Sequence, residues 1–163
     1  MPFYQLHYHL VWATKHRAPL LTAEVEPVIY GFLRSKAMGL GATVFALNGV
    51  EDHVHMVASI PPKIAVARFI GQVKGAASAR FNGLNSSEGT FYWQSEYAAF
   101  SFDRKRLPNY VAYVTRQKDH HRTQTLIPIL ERVSDSDKVM IQETPGSYEV
   151  EDRAWWDAMC ALE

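Results

Sequence analysis

Thiols are almost missing from this 163-residue chain, whose single cysteine is Cys160. One cysteine excludes an internal disulfide framework and any all-cysteine zinc site, so the expected setting is a reducing cytoplasm. Missing too is any apolar run near the ~20 residues of a membrane span, so no membrane partner is expected. The opening residues, Met-Pro-Phe-Tyr-Gln-Leu-His, do not follow the basic, apolar, small-residue order of a secretory signal. Internal repeats and low-complexity segments are absent as well. Net charge is zero, with 17 Lys and Arg against 17 Asp and Glu, so the overall balance names no charged partner.

What the chain does have is material for a core. Hydrophobic residues make up 47% and charged residues 21%, too apolar for a disordered chain, and the length suits one ordinary domain. The zero charge conceals an asymmetry. Residues 1–125 hold 14 Lys and Arg against 8 Asp and Glu, whereas residues 126–163 hold 3 against 9. A basic body with an acidic appendage suits a polyanion-binding surface, and equally two solvated faces. The expected division is a domain over 1–125 and an acidic extension over 126–163. The Trp155, Trp156 and Met159 cluster is expected to dock that extension on the body or on a partner subunit.

Residues 3–14, rich in aromatic and β-branched side chains, predict a first strand, closed by the basic turn Lys15-His16-Arg17-Ala18-Pro19. Residues 22–38 place Val25, Ile29, Phe32 and Leu33 on one face of a helix that Gly39 and Gly41 stop. Residues 42–50 and 53–60 predict two strands joined by a Glu51-Asp52 turn. Residues 63–81 carry Ile64, Ala67, Ile70, Val73, Ala77 and Phe81 at spacings of three and four, a second helix. Residues 90–102 predict a fourth strand, and Leu107 to Arg122 a third helix with Pro108 in its first turn. Strand, helix, strand, strand, helix, strand is the order of a ferredoxin-like split βαβ unit. The expected fold is therefore α+β: an antiparallel sheet with both helices on one face and a further helix after it.

Two constellations carry chemistry. His53-Val54-His55 lies on a strand, where residues two apart share a face ~7 Å apart and two imidazoles can converge on one divalent ion. The same pattern also occurs as a surface histidine pair. Tyr113-Val-Thr-Arg-Gln117 lies on a helix, where residues four apart stand one above the other, ~6 Å apart; His120 and His121 extend the stripe. A tyrosine packed on the sheet beside a solvated polar face would give the same spacing.

Together, His53-Val54-His55 and Tyr113-x-x-x-Gln117-x-x-His120-His121 resemble the single-tyrosine HUH transposases of the insertion-sequence 200/605 group, in which U is a bulky apolar residue. Tyr8-His-Leu-Val-Trp-Ala-Thr-Lys-His-Arg17 resembles that family's first strand and basic turn. Gly71-Gln-Val-Lys-Gly75 with Ser78 and Arg80 resembles its second helix, and Trp93 to Ser101 its fourth-strand signature. The resemblance covers about residues 3–122, with Glu96 and Ala98 where glycines are expected.

The resemblance implies a soluble prokaryotic enzyme in which His53, His55 and Gln117 bind Mg²⁺ or Mn²⁺. The ion would polarise the scissile phosphodiester, and Tyr113 would attack it to form a 5′-phosphotyrosine bond and free a 3′-OH. A phenol of pKa ~10 needs help to lose its proton; Lys118, Arg116 and the ion are the candidates, and His120 and His121 are accessory residues. The implied substrate is single-stranded DNA with hairpin ends. Lys15, Arg17, Lys63, Arg68, Lys74, Arg80, Arg104, Lys105 and Arg106 are available to track its phosphates. The implied assembly is a homodimer joined at sheet edges through the apolar stretch Trp93 to Phe102, with the tyrosine helix of one subunit meeting the histidines of the other. Three other readings share parts of this pattern: a domesticated nuclease acting on repeated palindromes, a non-catalytic ferredoxin-like nucleic-acid-binding module, and a metal-dependent hydrolase without a covalent intermediate.

Overall fold

Alternation along the strands decides which side chains meet. In the computed structural model, which describes residues 1–84 and 90–134, four strands pair antiparallel in the order β2-β3-β1-β4. They are β1 (His7–Ala13), β2 (Thr43–Val50), β3 (His53–Ser59) and β4 (Ala98–Phe102). Helix α1 (Val25–Gly39) crosses from β1 to β2, and α2 (Val66–Leu84) from β3 to β4. The expected α+β split βαβ fold is the one observed. Among the described residues no helix is long and apolar enough to cross a membrane.

Leu10 and Trp12 of β1 and Val54, Met56 and Ala58 of β3 face the two helices, meeting Ile29, Leu33 and Ala37 of α1 and Phe69, Ile70, Val73 and Ala77 of α2 in one buried cluster. The intervening residues project from the opposite face. There Val57 and Ala46 pack under Tyr110, Tyr113 and Val114 of helix α3 (Leu107–Thr115), and Val11 and Ala13 under Val133. A short helix α4 (Gln117–Thr123) and a 3₁₀ turn over Pro128–Glu131 complete this second layer.

Element boundaries follow available partners. Strand β1 begins at His7, not residue 3, because its ladders to Ser59 of β3 and Phe102 of β4 both start there. Strand β4 is shorter than the predicted 90–102; only Trp93 bridges to Thr14 before Ala98. The predicted single helix over 107–122 is broken at Arg116 (φ −97°, ψ 16°), one residue after Thr115 turns its hydroxyl back onto the Val111 carbonyl at 2.7 Å. Such back-bonding competes with helix propagation and bends it. Gly49 faces Val54 where β2 and β3 approach so closely that an added Cβ would run into the His53 carbonyl oxygen and stand 2.9 Å from Val54 Cα. The basic turn after β1 holds His16 and Arg17 at φ 57° and 51°, a left-handed conformation costing side-chain-bearing residues about 1–2 kcal/mol each. Residues 135–163, with the Trp155, Trp156 and Met159 cluster, lie outside the described residues, as do 85–89 of the polar loop.

Candidate active site

On β3 the two-residue period puts His53 and His55 on the face away from α1 and α2, and both imidazoles are buried beneath α3, α4 and the 3₁₀ turn. Their rings lie 5.0 Å apart. Each has a different neighbour behind it. His53 Nδ1 pairs with Asp52 at 2.6 Å, and Asp52 is reached in turn by Arg17 at 3.4 Å. His55 Nδ1 is 2.9 Å from Nε2 of His9, a fully buried β1 residue stacked on it at 5.1 Å.

Burial pushes the His55 imidazole down to about 4, so it is neutral at pH 7 and able to offer a lone pair. Burial likewise holds His9 well below the ordinary range. His53 is also penalised by burial, but its hydrogen bonds to Asp52 and Glu131 outweigh that and raise it.

Tyr113 meets these histidines from above. It is fully buried, edge-on to His55 at 6.2 Å and to His9 at 6.4 Å, and stacked on His120 at 4.9 Å. Gln117 also arrives, despite the break at Arg116, because it opens α4 directly beneath the last turn of α3. Its Nε2 donates to Glu131 Oε1 at 3.3 Å. His121 lies 5.0 Å from the His53 ring, and His120 Nδ1 pairs with the Thr125 hydroxyl at 2.9 Å. The single chain thus gathers Tyr113, His53, His55, Gln117, His120 and His121 around one point, with Tyr113 over the histidines of its own sheet.

At that point stands a residue the sequence reading left out. Glu131, from the 3₁₀ turn, turns Oε2 to three imidazoles: His53 Nε2 at 3.1 Å, and His55 and His121 Nε2 at 3.3 Å each. Its Oε1 accepts the Tyr113 hydroxyl in a short hydrogen bond. Burial opposes its charge, yet the hydrogen bonds from His53 and His55 hold the carboxyl far below the carboxylate range. Burial and the Glu131 charge push the Tyr113 phenol well above its ordinary value. The only hint of Glu131 in the sequence is a carboxylate closing the apolar piece 126–130; it belongs to no spaced motif. His9 was hinted at more clearly, since it shares the parity of Val11 and Ala13.

The residues present fit a divalent ion. His53, His55 and Glu131 each offer a ligand atom, all within 4.8 Å of one another. Beside them the buried Gln117 Oε1 makes no hydrogen bond, and His55 Nε2 and His121 Nε2 face only the Glu131 carboxylate, an arrangement a cation between them would satisfy. Imidazole nitrogen with carboxylate and amide oxygen is a donor set that suits a divalent cation.

The basic residues separate. Lys15 and Arg17 are exposed on the turn beside Asp52, Lys15 over the Tyr92 ring at 5.7 Å. Arg104, Lys105 and Arg106 form the 3₁₀ turn before α3. Lys74, expected to track phosphates, is instead buried: its ammonium donates to the carbonyls of Gln94, Ser95 and Glu96 at 2.6 to 3.3 Å, pinning the β4 approach to α2. Desolvation lowers it to about 8. Arg80 lies over Phe32 at 4.5 Å in the helix layer, away from the histidines. Lys118 does not reach Tyr113 either; it ties α4 to Glu26 at 2.7 Å, Asn48 at 2.7 Å and the Gly49 carbonyl at 3.1 Å. Arg116 is exposed.

A family model described as Transposase IS200 like matches residues 2–117. The chain belongs to the IS200-like transposase family. The ISDra2 transposase TnpA of Deinococcus radiodurans is 38% identical to this family member over 77 residues, 47% of this chain and 55% of that protein. A transposase for insertion sequence element IS200 from Salmonella typhimurium is 32% identical over 71 residues, 44% of this chain and 47% of that one. This IS200-like chain therefore spans about half the length of the curated relatives it matches.

Among solved structures, one from Deinococcus radiodurans described as a transposase aligns with a TM-score of 0.57 at 24% identity, over 82% of this chain and 95% of that one. A REP-associated tyrosine transposase bound to a REP hairpin aligns at 0.55 and 13% identity, over 74% of each chain. At these identities the two structures speak to the fold alone. The family match ends at Gln117; Glu131 lies beyond it.

Proposed function

We propose that this IS200-like protein is a single-tyrosine transposase that cleaves and rejoins single-stranded DNA at hairpin-bearing ends through a 5′-phosphotyrosine intermediate. The observation that supports this reading most is the convergence of a buried tyrosine with two strand histidines and a helix glutamine in one chain. Tyr113 supplies the nucleophile: its hydroxyl proton leaves, Oη bonds to phosphorus, and the P–O3′ bond breaks to free a 3′-OH. The covalent link keeps the phosphoester, so a 3′-OH attacking it restores Tyr113 and a continuous strand without a nucleoside triphosphate.

His53, His55 and Gln117 would hold Mg²⁺ or Mn²⁺, with Glu131 beside them. Such an ion supplies Lewis-acid stabilisation of charge on the phosphodiester. Asp52 and His9 orient the two imidazoles from behind, the work of outer partners in metal sites. Lys15 and Arg17 on the turn beside Asp52, and Arg104, Lys105 and Arg106 before α3, would track phosphates, making binding strongly salt-dependent. The domain over 1–125 would carry the reacting groups, while the first part of the acidic extension 126–163 closes over them through Ile127 and Glu131.

The deciding experiment mixes the protein with a hairpin-ended single strand and looks for a protein–DNA adduct that survives boiling in detergent. Tyr113→Phe is expected to abolish the adduct while sparing DNA binding. A surviving adduct in Tyr113→Phe, or none in the native protein with DNA from its own element ends, would remove the reading in favour of a binding module or a hydrolase.

For assembly, we propose a homodimer joined at the β4 edge of the sheet. Exchange of α3 between subunits, hinged at 103–106, would give the same geometry in trans. Mixing His53→Ala/His55→Ala subunits with Tyr113→Phe subunits restores adduct formation if sites assemble in trans; silence after verified exchange means they assemble in cis.

A further inference from the structure

Glu131 ties together the histidines of the strand motif and the tyrosine and glutamine of the helix motif. One oxygen faces three imidazole nitrogens at 3.1 to 3.3 Å, and the other takes the hydroxyl of Tyr113 and the amide of Gln117. The remaining partner of the Tyr113 hydroxyl comes from the same segment: the Ile127 amide donates to it at 3.1 Å. Ile127, Leu130 and Val133 seat this segment on the sheet, all of them buried. The result is a nucleophile with no exposed surface, closed off by residues 127–133.

A phosphodiester arriving at Tyr113 must place an anionic tetrahedral centre against the phenol oxygen and its charged oxygens toward the histidines. Glu131 already does both with a planar anion of the same sign. Two anions cannot share that point, because like charges at contact in a low-dielectric site repel by several kcal/mol.

We infer that Glu131 is a substrate-mimicking residue: its carboxylate marks the subsite of the scissile phosphate, and DNA enters by replacing it as the 127–133 segment lifts. This rests on the transposase reading for the identity of the phosphate, and adds that Tyr113 is guarded until the exchange. Glu131 offers a cation the same kind of anionic oxygen that the phosphate brings, so the exchange leaves the histidines and Gln117 in place. Like-charge exclusion further means that Glu131 works against DNA and for the cation.

Those opposite signs are the test. Full-length protein and Glu131→Gln, which keeps shape and removes charge, are compared for Mn²⁺ affinity without DNA and for affinity to a mixed-sequence single-stranded oligonucleotide. Glu131→Gln should weaken Mn²⁺ binding and tighten oligonucleotide binding at least about tenfold, since a like-charge juxtaposition is removed. Glu131→Ala should also expose Tyr113 to nitration by tetranitromethane, read by mass spectrometry, and excess oligonucleotide should expose the 127–133 amides of the native protein to hydrogen exchange. Oligonucleotide affinity that falls together with Mn²⁺ affinity would overturn the inference, since Glu131 would then be a ligand that stays. So would 127–133 amides that remain protected with DNA bound. If the predicted signs appear while no variant forms an adduct, the phosphate subsite stands and the strand-transfer reading fails.

Discussion

The two faces of one sheet are built from alternate residues of the same strands and are put to opposite uses. Toward α1 and α2, β1 and β3 present Leu10, Trp12, Val54, Met56 and Ala58, an apolar surface closed by apolar helices. Toward α3, the same strands present His7, His9, His53 and His55 among Val11, Ala13 and Val57. Both faces are buried, but among the described residues most of the buried side-chain polar atoms that make no hydrogen bond or ion pair gather on the second, at His7, His9, Gln117 and His120. Unmet polar groups cost stability. A fold keeps them where something else is to bind, and leans on the opposite face to stay folded.

The comparison can be broken by crossing two substitutions one residue apart. His55→Ala should abolish DNA cleavage and lower Mn²⁺ affinity at least a hundredfold, with urea stability changed by no more than about 1 kcal/mol. Met56→Ala, on the other face, should cost about 2–5 kcal/mol in the same urea titration and leave Mn²⁺ affinity of the folded protein unchanged. If both variants lost stability equally, the division of labour would be wrong. The smallest effect concerns a basic residue outside either category. Lys74→Met should leave oligonucleotide affinity and its salt slope unchanged, since the ammonium is committed to three carbonyls. A shallower slope by about one would return Lys74 to the phosphate track.

The order of elements, the sheet topology and the core faces were legible because period-two strands and period-3.6 helices write themselves into the chain. His53, His55, Tyr113 and Gln117 were legible because their partners lie two or four residues away. Lys74 was misread because a charge count cannot see the carbonyls of residues 94–96 folding over it. The break at Arg116 was hidden in a helix-compatible stretch, since it depends on where Thr115 turns its hydroxyl. Glu131 was invisible for a different reason: it meets Tyr113 from 18 residues away, beyond α4 and the turn that follows it, where no repeat constrains spacing.

Gly49 carries a consequence for how sequences of this kind can vary. Every other amino acid begins with a Cβ, and at Gly49 that atom would collide with the backbone of His53, the first residue of the histidine pair. Such a collision cannot be relieved by choosing another rotamer; it would pry β2 from β3 at the end that carries the histidines. In a library randomised at every codon, Gly49 should be as intolerant as His53 itself, though it has no side chain to offer the chemistry. Position 49 would then score as catalytic in any screen for activity, and only a screen for folding would reveal that its contribution is the absence of an atom.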